Sequence, residues 1–76
     1  MPRTPRITAR QMEQVLRKCG WQLNPNRGSG SHMVYQHTDK TGFVIVPRHR
    51  GDLAIGTIRS ILKQAGLSDD DLRNLL

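Results

Sequence analysis

Two amphipathic stretches that each end at a glycine constrain the fold of this chain more than any other feature. The first covers residues 9–19 and ends before Gly20, and the second covers about residues 57–65 and ends before Gly66. Their apolar residues recur at the i, i+3, i+4 and i+7 spacing of one helix face, and glycine often supplies the left-handed backbone that ends a helix. These residues are Met12, Val15, Leu16 and Cys19 in the first stretch and Ile58, Ile61, Leu62 and Ala65 in the second. The spacing predicts two helices, each with one face to bury.

Capping residues indicate where the helices begin. Thr8 is suited to an N-cap, and Gln11 stands three residues later to complete a capping box. Ser68 is suited in the same way to cap a short helix at the C-terminal end of the chain. The first turn of that helix contains residues 69–71, all aspartates, whose carboxylates favour the positive end of a helix dipole. The sequence thus predicts two longer helices and one short C-terminal helix.

Three segments between the two longer helices have the composition of β-strands. Residues 21–23 alternate briefly until residues 24–26, Asn-Pro-Asn, interrupt them, and residues 27–30 are predicted to form a flexible basic loop. A second strand is predicted over residues 31–37. The third, over residues 43–46, is apolar and β-branched enough to be the central or best-buried strand.

This order predicts an α+β fold in which an antiparallel sheet packs one face under two helices and leaves the other face in water. The α-β-β-β-α two-layer sandwich with a short C-terminal helix is the layout of the double-stranded-RNA-binding fold, although a layout does not establish a function. Residues 1–6, with prolines at positions 2 and 5, are predicted to be a flexible arm. Residues 7–76 are predicted to form a single domain, since 76 residues have room for one core.

The charge is strongly positive and unevenly distributed. Lys and Arg number 12 against 6 Asp and Glu, which gives a net charge of +6. Three of the six acids stand together at residues 69–71, so residues 1–68 carry eleven basic side chains against three acidic ones, or +8. Such a surface favours polyanionic partners, of which nucleic acid is the first expectation.

Composition also excludes several classes of protein. A single cysteine rules out an internal disulfide framework, and with three histidines it falls short of a cysteine-rich zinc site. The longest apolar stretch, residues 43–47, is far shorter than the roughly 18 residues of a membrane span, and no signal-peptide segment follows the first residues. We therefore expect a cytoplasmic protein without a membrane partner.

The acidic residues are poorly placed for catalysis. Glu13 is predicted to lie on the outer face of the first helix, Asp39 in a turn, Asp52 alone in a loop, and residues 69–71 serve the helix cap. No paired carboxylates and no carboxylate cluster for a metal are visible. Glycosidase and two-metal nuclease mechanisms are therefore excluded, and we expect neither a metal nor a cofactor.

His32 is the best candidate for a catalytic group. It follows a glycine- and serine-rich segment whose amides can approach a phosphate, and Arg27 stands five residues before it. A neutral imidazole with flanking guanidiniums can cleave RNA without a metal, by moving a proton and stabilising the charged phosphorane. Alternation places His32 with Val34 on the face opposite Met33 and Tyr35, which we expect to be the wet face. A plain solvated histidine on the sheet stays an open alternative.

A second basic cluster follows the third predicted strand and consists of Arg48, His49 and Arg50. It is either a solvated charged loop or a phosphate contact that adjacent strands bring close to His32. Trp21 and Tyr35 are better explained as core residues than as platforms for stacking bases. The candidate RNA contacts are Arg27, Gly30, Ser31, Arg48, His49 and Arg50.

Three stretches of the chain resemble the signature stretches of the HicA toxin family: residues 27–32, 46–49 and 56–68. The resemblance covers about residues 7–76, and the last stretch is long and specific. It implies a toxin of a bacterial type II toxin-antitoxin system, a ribonuclease that cleaves mRNA without a metal and is inhibited by a HicB-type antitoxin. It also implies that His32 is the catalytic histidine, whereas family members often have a basic residue where this chain has Ser29.

Two other classes fit the sequence less well. A non-catalytic double-stranded-RNA-binding module has the same fold and charge, but such modules usually place a lysine cluster where this chain has Gly-Thr-Ile-Arg at residues 56–59. A DNA-binding helix-turn-helix would use the short C-terminal helix as its reader, and three aspartates in the first turn would repel phosphates. The first of these remains the alternative to a ribonuclease.

Overall fold

The computed structural model describes residues 4–76 as a three-stranded antiparallel sheet under two helices, followed by a third, short helix. The elements are α1 (Ala9–Lys18), β1 (Gln22–Ser29), β2 (His32–Gln36), β3 (Val44–Pro47), α2 (Ile55–Ala65) and α3 (Asp69–Leu75). None of the described helices is long and apolar enough to cross a membrane. The predicted α+β sandwich with a short C-terminal helix, similar in layout to the double-stranded-RNA-binding fold, is confirmed.

The predicted helix caps are present as hydrogen-bonded pairs. The Thr8 hydroxyl accepts from the Gln11 amide at 3.1 Å, and the Gln11 side chain accepts from the Thr8 amide at 2.9 Å. Ser68 and Asp71 form the equivalent pair at α3, where the hydrogen bond from the Ser68 amide lowers the pKa of the Asp71 carboxyl. α2 begins two residues earlier than predicted, at Ile55, without a capping side chain.

The prediction of a flexible loop at residues 27–30 is wrong for residues 27–29, because β1 continues to Ser29. β1 pairs with β2 at both ends, and the register shifts between Leu23 and Gly28, so the intervening residues form an irregular segment. Proline is tolerated there because β1 is an edge strand. Gly28 has a φ of +94°, and a Cβ at this position would lie 2.6 Å from the His32 carbonyl oxygen. Glycine thus permits β1 to approach β2 beside His32.

The prediction that the third strand is the central or best-buried one is also wrong, because β2 has three buried residues and β3 has two. The sheet order is β1-β2-β3, so β2 is central and β3 is an edge. Val44 and Val46 are fully buried, whereas Ile45 between them is 45 % exposed. A β-branched strand can bury the apolar side chains of one face even when it lies at the edge of a sheet. The order of the strands depends on the connections between them and not on their composition.

The assignment of the two faces of β2 is confirmed for His32. His32 and Gln36 are exposed, while Met33 and Tyr35 point into the core. Val34 departs from the expectation, because it is buried although it lies on the outer face of the sheet. A Cβ added at Gly28 would lie 3.3 Å from a methyl group of Val34, which shows how closely β1 approaches it.

The core lies between the inner face of the sheet and the helices, and it includes Trp21 and Tyr35 as predicted. Leu53, in the connection from β3 to α2, is also buried, and its amide donates to the Ile7 carbonyl at 2.8 Å. Next to it, Asp52 forms a β-bridge with Thr8. These contacts fix the connection that follows β3 against the start of α1.

The predicted flexible arm, residues 1–6, lies partly outside the described residues, which begin at Thr4. Thr4 is 5 % exposed, and its hydroxyl donates to the Asp69 carboxylate at 2.9 Å. The same oxygen accepts from Arg59 Nε at 3.2 Å. Thr4 is therefore hydrogen-bonded to α2 and α3.

Candidate functional site

His32 is the first residue of β2 and is exposed beside the turn that joins β1 to β2. Its Nδ1 lies 3.1 Å from the Ser31 hydroxyl and 3.5 Å from the Ser29 hydroxyl, and the two hydroxyl oxygens are 3.2 Å apart. Among residues 4–76, no partner is recorded for Nε2. The hydroxyls therefore orient the ring through one nitrogen and leave the other available.

This arrangement suits the transfer of a proton. The hydrogen bond that one ring nitrogen of histidine makes influences whether the other nitrogen carries a proton. A partner on Nδ1 therefore influences whether Nε2 accepts or donates a proton. A serine hydroxyl can donate to Nδ1 or accept from it, which accommodates the neutral and the protonated ring. His32 can therefore exchange a proton through Nε2 without losing its contact on Nδ1.

His37 has a different environment, because both of its ring nitrogens are bonded to the backbone. Its Nε2 donates to the Cys19 carbonyl at 3.0 Å, and its Nδ1 accepts from the Asp39 amide at 3.0 Å. The ring also packs edge-on against Trp21, with 5.3 Å between ring centroids. His37 thus connects the end of α1 to the turn after β2 and has no nitrogen left for a substrate.

Pairing between β2 and β3 brings the backbone at the start of the second basic cluster close to the backbone beside His32, a proximity that the sequence left open. His32 stands opposite Pro47, and the Arg48 amide donates to the Ser31 carbonyl at 2.8 Å. The side chains of residues 48–50 are exposed. The backbone that carries these basic residues therefore begins at the rim of the sheet where His32 lies.

Residues 48–50 also line a groove of about 560 Å³ against α1. Arg10 and Glu13 form the α1 wall, and Ala9 and Met33 complete the lining. His32 is not among the lining residues, which are Ala9, Arg10, Glu13, Met33, Arg48, His49 and Arg50. The groove and His32 thus share one end of the sheet without sharing one cavity.

Glu13 does not lie on the outer face of the helix as predicted. It is half-buried and accepts a hydrogen bond from the Tyr35 hydroxyl at 2.5 Å. Burial, and then the hydrogen bond to this carboxylate, raise the pKa of Tyr35 to about 12, so the hydroxyl stays a donor at neutral pH. The prediction failed because Tyr35, from the core side of β2, reaches the polar edge of α1. The Glu13 carboxylate is thereby held at the groove wall.

Arg27, which was expected to flank His32, stacks on an aromatic ring. Its guanidinium lies over the Phe43 ring, 4.4 Å from the ring centre. Phe43 directly precedes Val44, which pairs with Tyr35 toward the end of β2 farther from His32. The structure therefore places Arg27 against an apolar ring on the outer face of the sheet.

Sequence reasoning missed three side chains that belong to this region: Ser29 beside His32, and Arg10 and Glu13 in the groove. The i, i+3 spacing of Arg10 and Glu13 indicated that they are neighbours on α1, but nothing local connected them with residues 48–50. Within the described part of the chain, no three His, Cys, Asp or Glu side chains are grouped so that they could hold a metal ion.

Comparison with known protein families gives a match over most of the chain. A protein-family model described as "HicA toxin of bacterial toxin-antitoxin" matches residues 9–67. The matched range contains α1, the three strands and α2, together with His32 and every residue that lines the groove. No curated protein matches the chain.

Proposed function

Since this chain belongs to the HicA toxin family of bacterial toxin-antitoxin systems, we propose that it is an endoribonuclease that cleaves mRNA without a metal, using His32. The observation that carries the proposal is the hydrogen bonding of His32, which holds Nδ1 near two hydroxyls and leaves Nε2 without a recorded partner among residues 4–76. Two exposed arginines, Arg48 and Arg50, follow β3, and the Arg48 amide is hydrogen-bonded to Ser31, the neighbour of His32. mRNA is the substrate, and the cytoplasm is the compartment in which the toxin meets it.

The proposed reaction uses the substrate's own 2′-hydroxyl as the nucleophile. Its oxygen attacks the adjacent phosphorus, its proton passes to a base, and the bond from phosphorus to O5′ breaks as O5′ takes up a proton. His32 Nε2 serves one of these two proton transfers. Arg48 and Arg50 supply positive charge for the dianionic phosphorane, the role that guanidiniums fill in phosphoryl chemistry. The products are a 2′,3′-cyclic phosphate and a 5′-hydroxyl.

The test is cleavage of a labelled RNA oligonucleotide by the purified chain in excess chelator. We expect full activity and fragments that end in a 2′,3′-cyclic phosphate or in the 3′-phosphate formed when it hydrolyses. Activity that is lost in chelator and restored by a divalent cation, with 3′-hydroxyl ends, would contradict the proposal. Binding of duplex RNA without any cleavage would instead support a non-catalytic double-stranded-RNA-binding module.

We also propose that a HicB-type antitoxin with net negative charge inhibits this chain by covering His32 and residues 48–50. The support is the charge of +8 over residues 1–68 and the exposure of those side chains.

Mixing the chain with its antitoxin is expected to abolish RNA cleavage and to raise the unfolding temperature of both proteins, because each binds only the folded form of the other. The measurement is a titration of cleavage rate against antitoxin, with thermal unfolding of the same mixtures. His32→Ala, which keeps nearly all of the basic surface, serves as the binding control and should form the same complex. A stable complex that still cleaves RNA at the full rate would overturn the masking proposal.

A further inference from the structure

The groove between α1 and residues 48–50 is larger than an ion requires. Its volume of about 560 Å³ falls within the range of roughly 300–1,000 Å³ typical of sites for small organic ligands. Met33, which is 6 % exposed, and Ala9 give it apolar lining, while the walls carry charged side chains. The combination suits a ligand with both a charged group and an apolar surface, as a nucleotide has.

The charges that line the groove favour a phosphate. Three arginines, Arg10, Arg48 and Arg50, line the groove together with one acidic residue, Glu13. Within residues 4–76 none of the three arginines is recorded in a salt bridge, and Glu13 is held by the Tyr35 hydroxyl. Guanidinium groups bind phosphate oxygens through paired charge-assisted hydrogen bonds. The groove therefore has positive charge available that the fold itself does not use.

Two residues, Met33 and Arg48, connect the groove with the rim that carries His32. Met33, in its lining, follows His32 directly in β2, and neighbouring residues of a strand point to opposite faces of the sheet. Arg48 lines the groove, and its backbone amide donates a hydrogen bond to the Ser31 carbonyl beside His32. An RNA strand that crosses this rim thus reaches His32 on one side and the groove on the other.

We infer that this groove binds a nucleotide adjacent to the cleaved position, with the phosphate of that nucleotide on Arg10, next to the two arginines, Arg48 and Arg50, that the proposed function assigns to the cleaved phosphate. Arg10 thereby becomes a substrate contact on α1, away from the connection after β3 that carries Arg48 and Arg50. Glu13 opposes the phosphate and limits the affinity of the groove. The inference rests on the proposed function in one respect, that the polyanion is RNA.

The test is the affinity of a fluorescent single-stranded RNA for variants made in a His32→Ala background, which keeps the RNA intact. Arg10→Gln is expected to weaken binding about three- to tenfold, the scale of one charged hydrogen-bonded contact. It should also lower the slope of log K against log salt by about 0.7, the contribution of one phosphate contact. Lys63→Gln, which removes an exposed charge from the last turn of α2, is the matched control and should change affinity less than twofold.

Glu13→Gln provides a test with the opposite sign. The amide oxygen still accepts from Tyr35, but the negative charge is lost, so RNA affinity is expected to rise about two- to fivefold. Arg10→Lys keeps the charge and should retain the salt slope. Thermal unfolding of each variant establishes that it is folded, as expected for the exposed position of Arg10.

The outcomes separate this inference from the proposed function. If Arg10→Gln and Lys63→Gln behave alike, the groove site is overturned, whereas RNA cleavage by the original chain still stands on its own assay. If Glu13→Gln weakens binding, the negative charge of Glu13 does not oppose the ligand, and the phosphate assignment is wrong. If the His32→Ala chain binds no RNA and the original chain cleaves none, the proposed function fails together with the inference.

Discussion

An RNA oligonucleotide that lacks only the 2′-hydroxyl at the cleaved position is expected to bind this chain normally and to resist cleavage by about 10⁴-fold or more. The size of the effect follows from the loss of an intramolecular nucleophile, whose effective concentration in favourable geometry reaches about 10⁵–10⁸ M. Affinity should hardly change, because the phosphate charges on which binding depends are all retained. The measurement is the single-turnover rate on this oligonucleotide, once the cleaved position has been mapped on the all-RNA sequence.

The matched control places the same 2′-deoxy substitution one nucleotide away from the cleaved position. That oligonucleotide should be cleaved at nearly the normal rate, since its nucleophile is intact. Comparable rates on the all-RNA strand and on the strand modified at the cleaved position would show that water is the nucleophile. The mechanism based on the substrate's hydroxyl would then be wrong.

Replacing His32 with alanine is expected to lower the cleavage rate by about 10² or more, the usual contribution of one general acid or base. The ring is exposed, and its recorded hydrogen bonds are to Ser29 and Ser31, so its removal takes nothing from the core. Thermal unfolding and RNA affinity should therefore stay close to those of the original chain. The loss of an interaction that is made only in the transition state lowers the rate of the bound complex without weakening RNA binding.

His37→Ala is the contrasting variant, because it should show the reverse pattern. It removes hydrogen bonds to the Cys19 carbonyl and the Asp39 amide and a ring contact with Trp21. We expect a loss of stability of about 1–3 kcal/mol and a nearly normal rate for the folded fraction. If His37→Ala reduced the rate of the folded protein while His32→Ala did not, the catalytic assignment would belong to the other histidine.

The helix boundaries could be predicted because the interactions that set them are local. The hydrogen bonds between Thr8 and Gln11, and between Ser68 and Asp71, each join residues three positions apart. Glycine ends α2 for an equally local reason, since Gly66 has a φ of +73°. α2 nevertheless begins at Ile55, where no side chain marks the start.

The strands were predicted less well because their partners are distant in sequence. Residues 27–29 have the composition of a loop, and they form a strand because Gly28 and Ser29 pair with β2. The apolar β3 lies at an edge, and nothing in its own residues determines which strand is central. In these cases the composition of a segment indicated only its local backbone preference. Its final structure depends on pairing with residues that are distant in the sequence.

The same distinction applies to the candidate site. The position of His32 on the wet face could be predicted from alternation within β2, whereas the closeness of Arg48 to Ser31 depends on how β2 and β3 pair, which the sequence left open. The inclusion of Arg10 and Glu13 in the groove depends on how α1 packs against the connection after β3, where Leu53 bonds to Ile7. No pattern within α1 carries that information.

The most direct test of the central claim is the single-turnover cleavage rate of one labelled RNA, in excess chelator, for the original chain and for His32→Ala. Each protein is used at a concentration that binds all of the RNA, so the rates compare the chemical step alone. The account predicts a ratio of about 10² or more, with both proteins folded and the same 2′,3′-cyclic phosphate ends on whatever product remains. Equal rates for the two folded proteins, from independent preparations, would contradict the assignment of His32 as the catalytic residue.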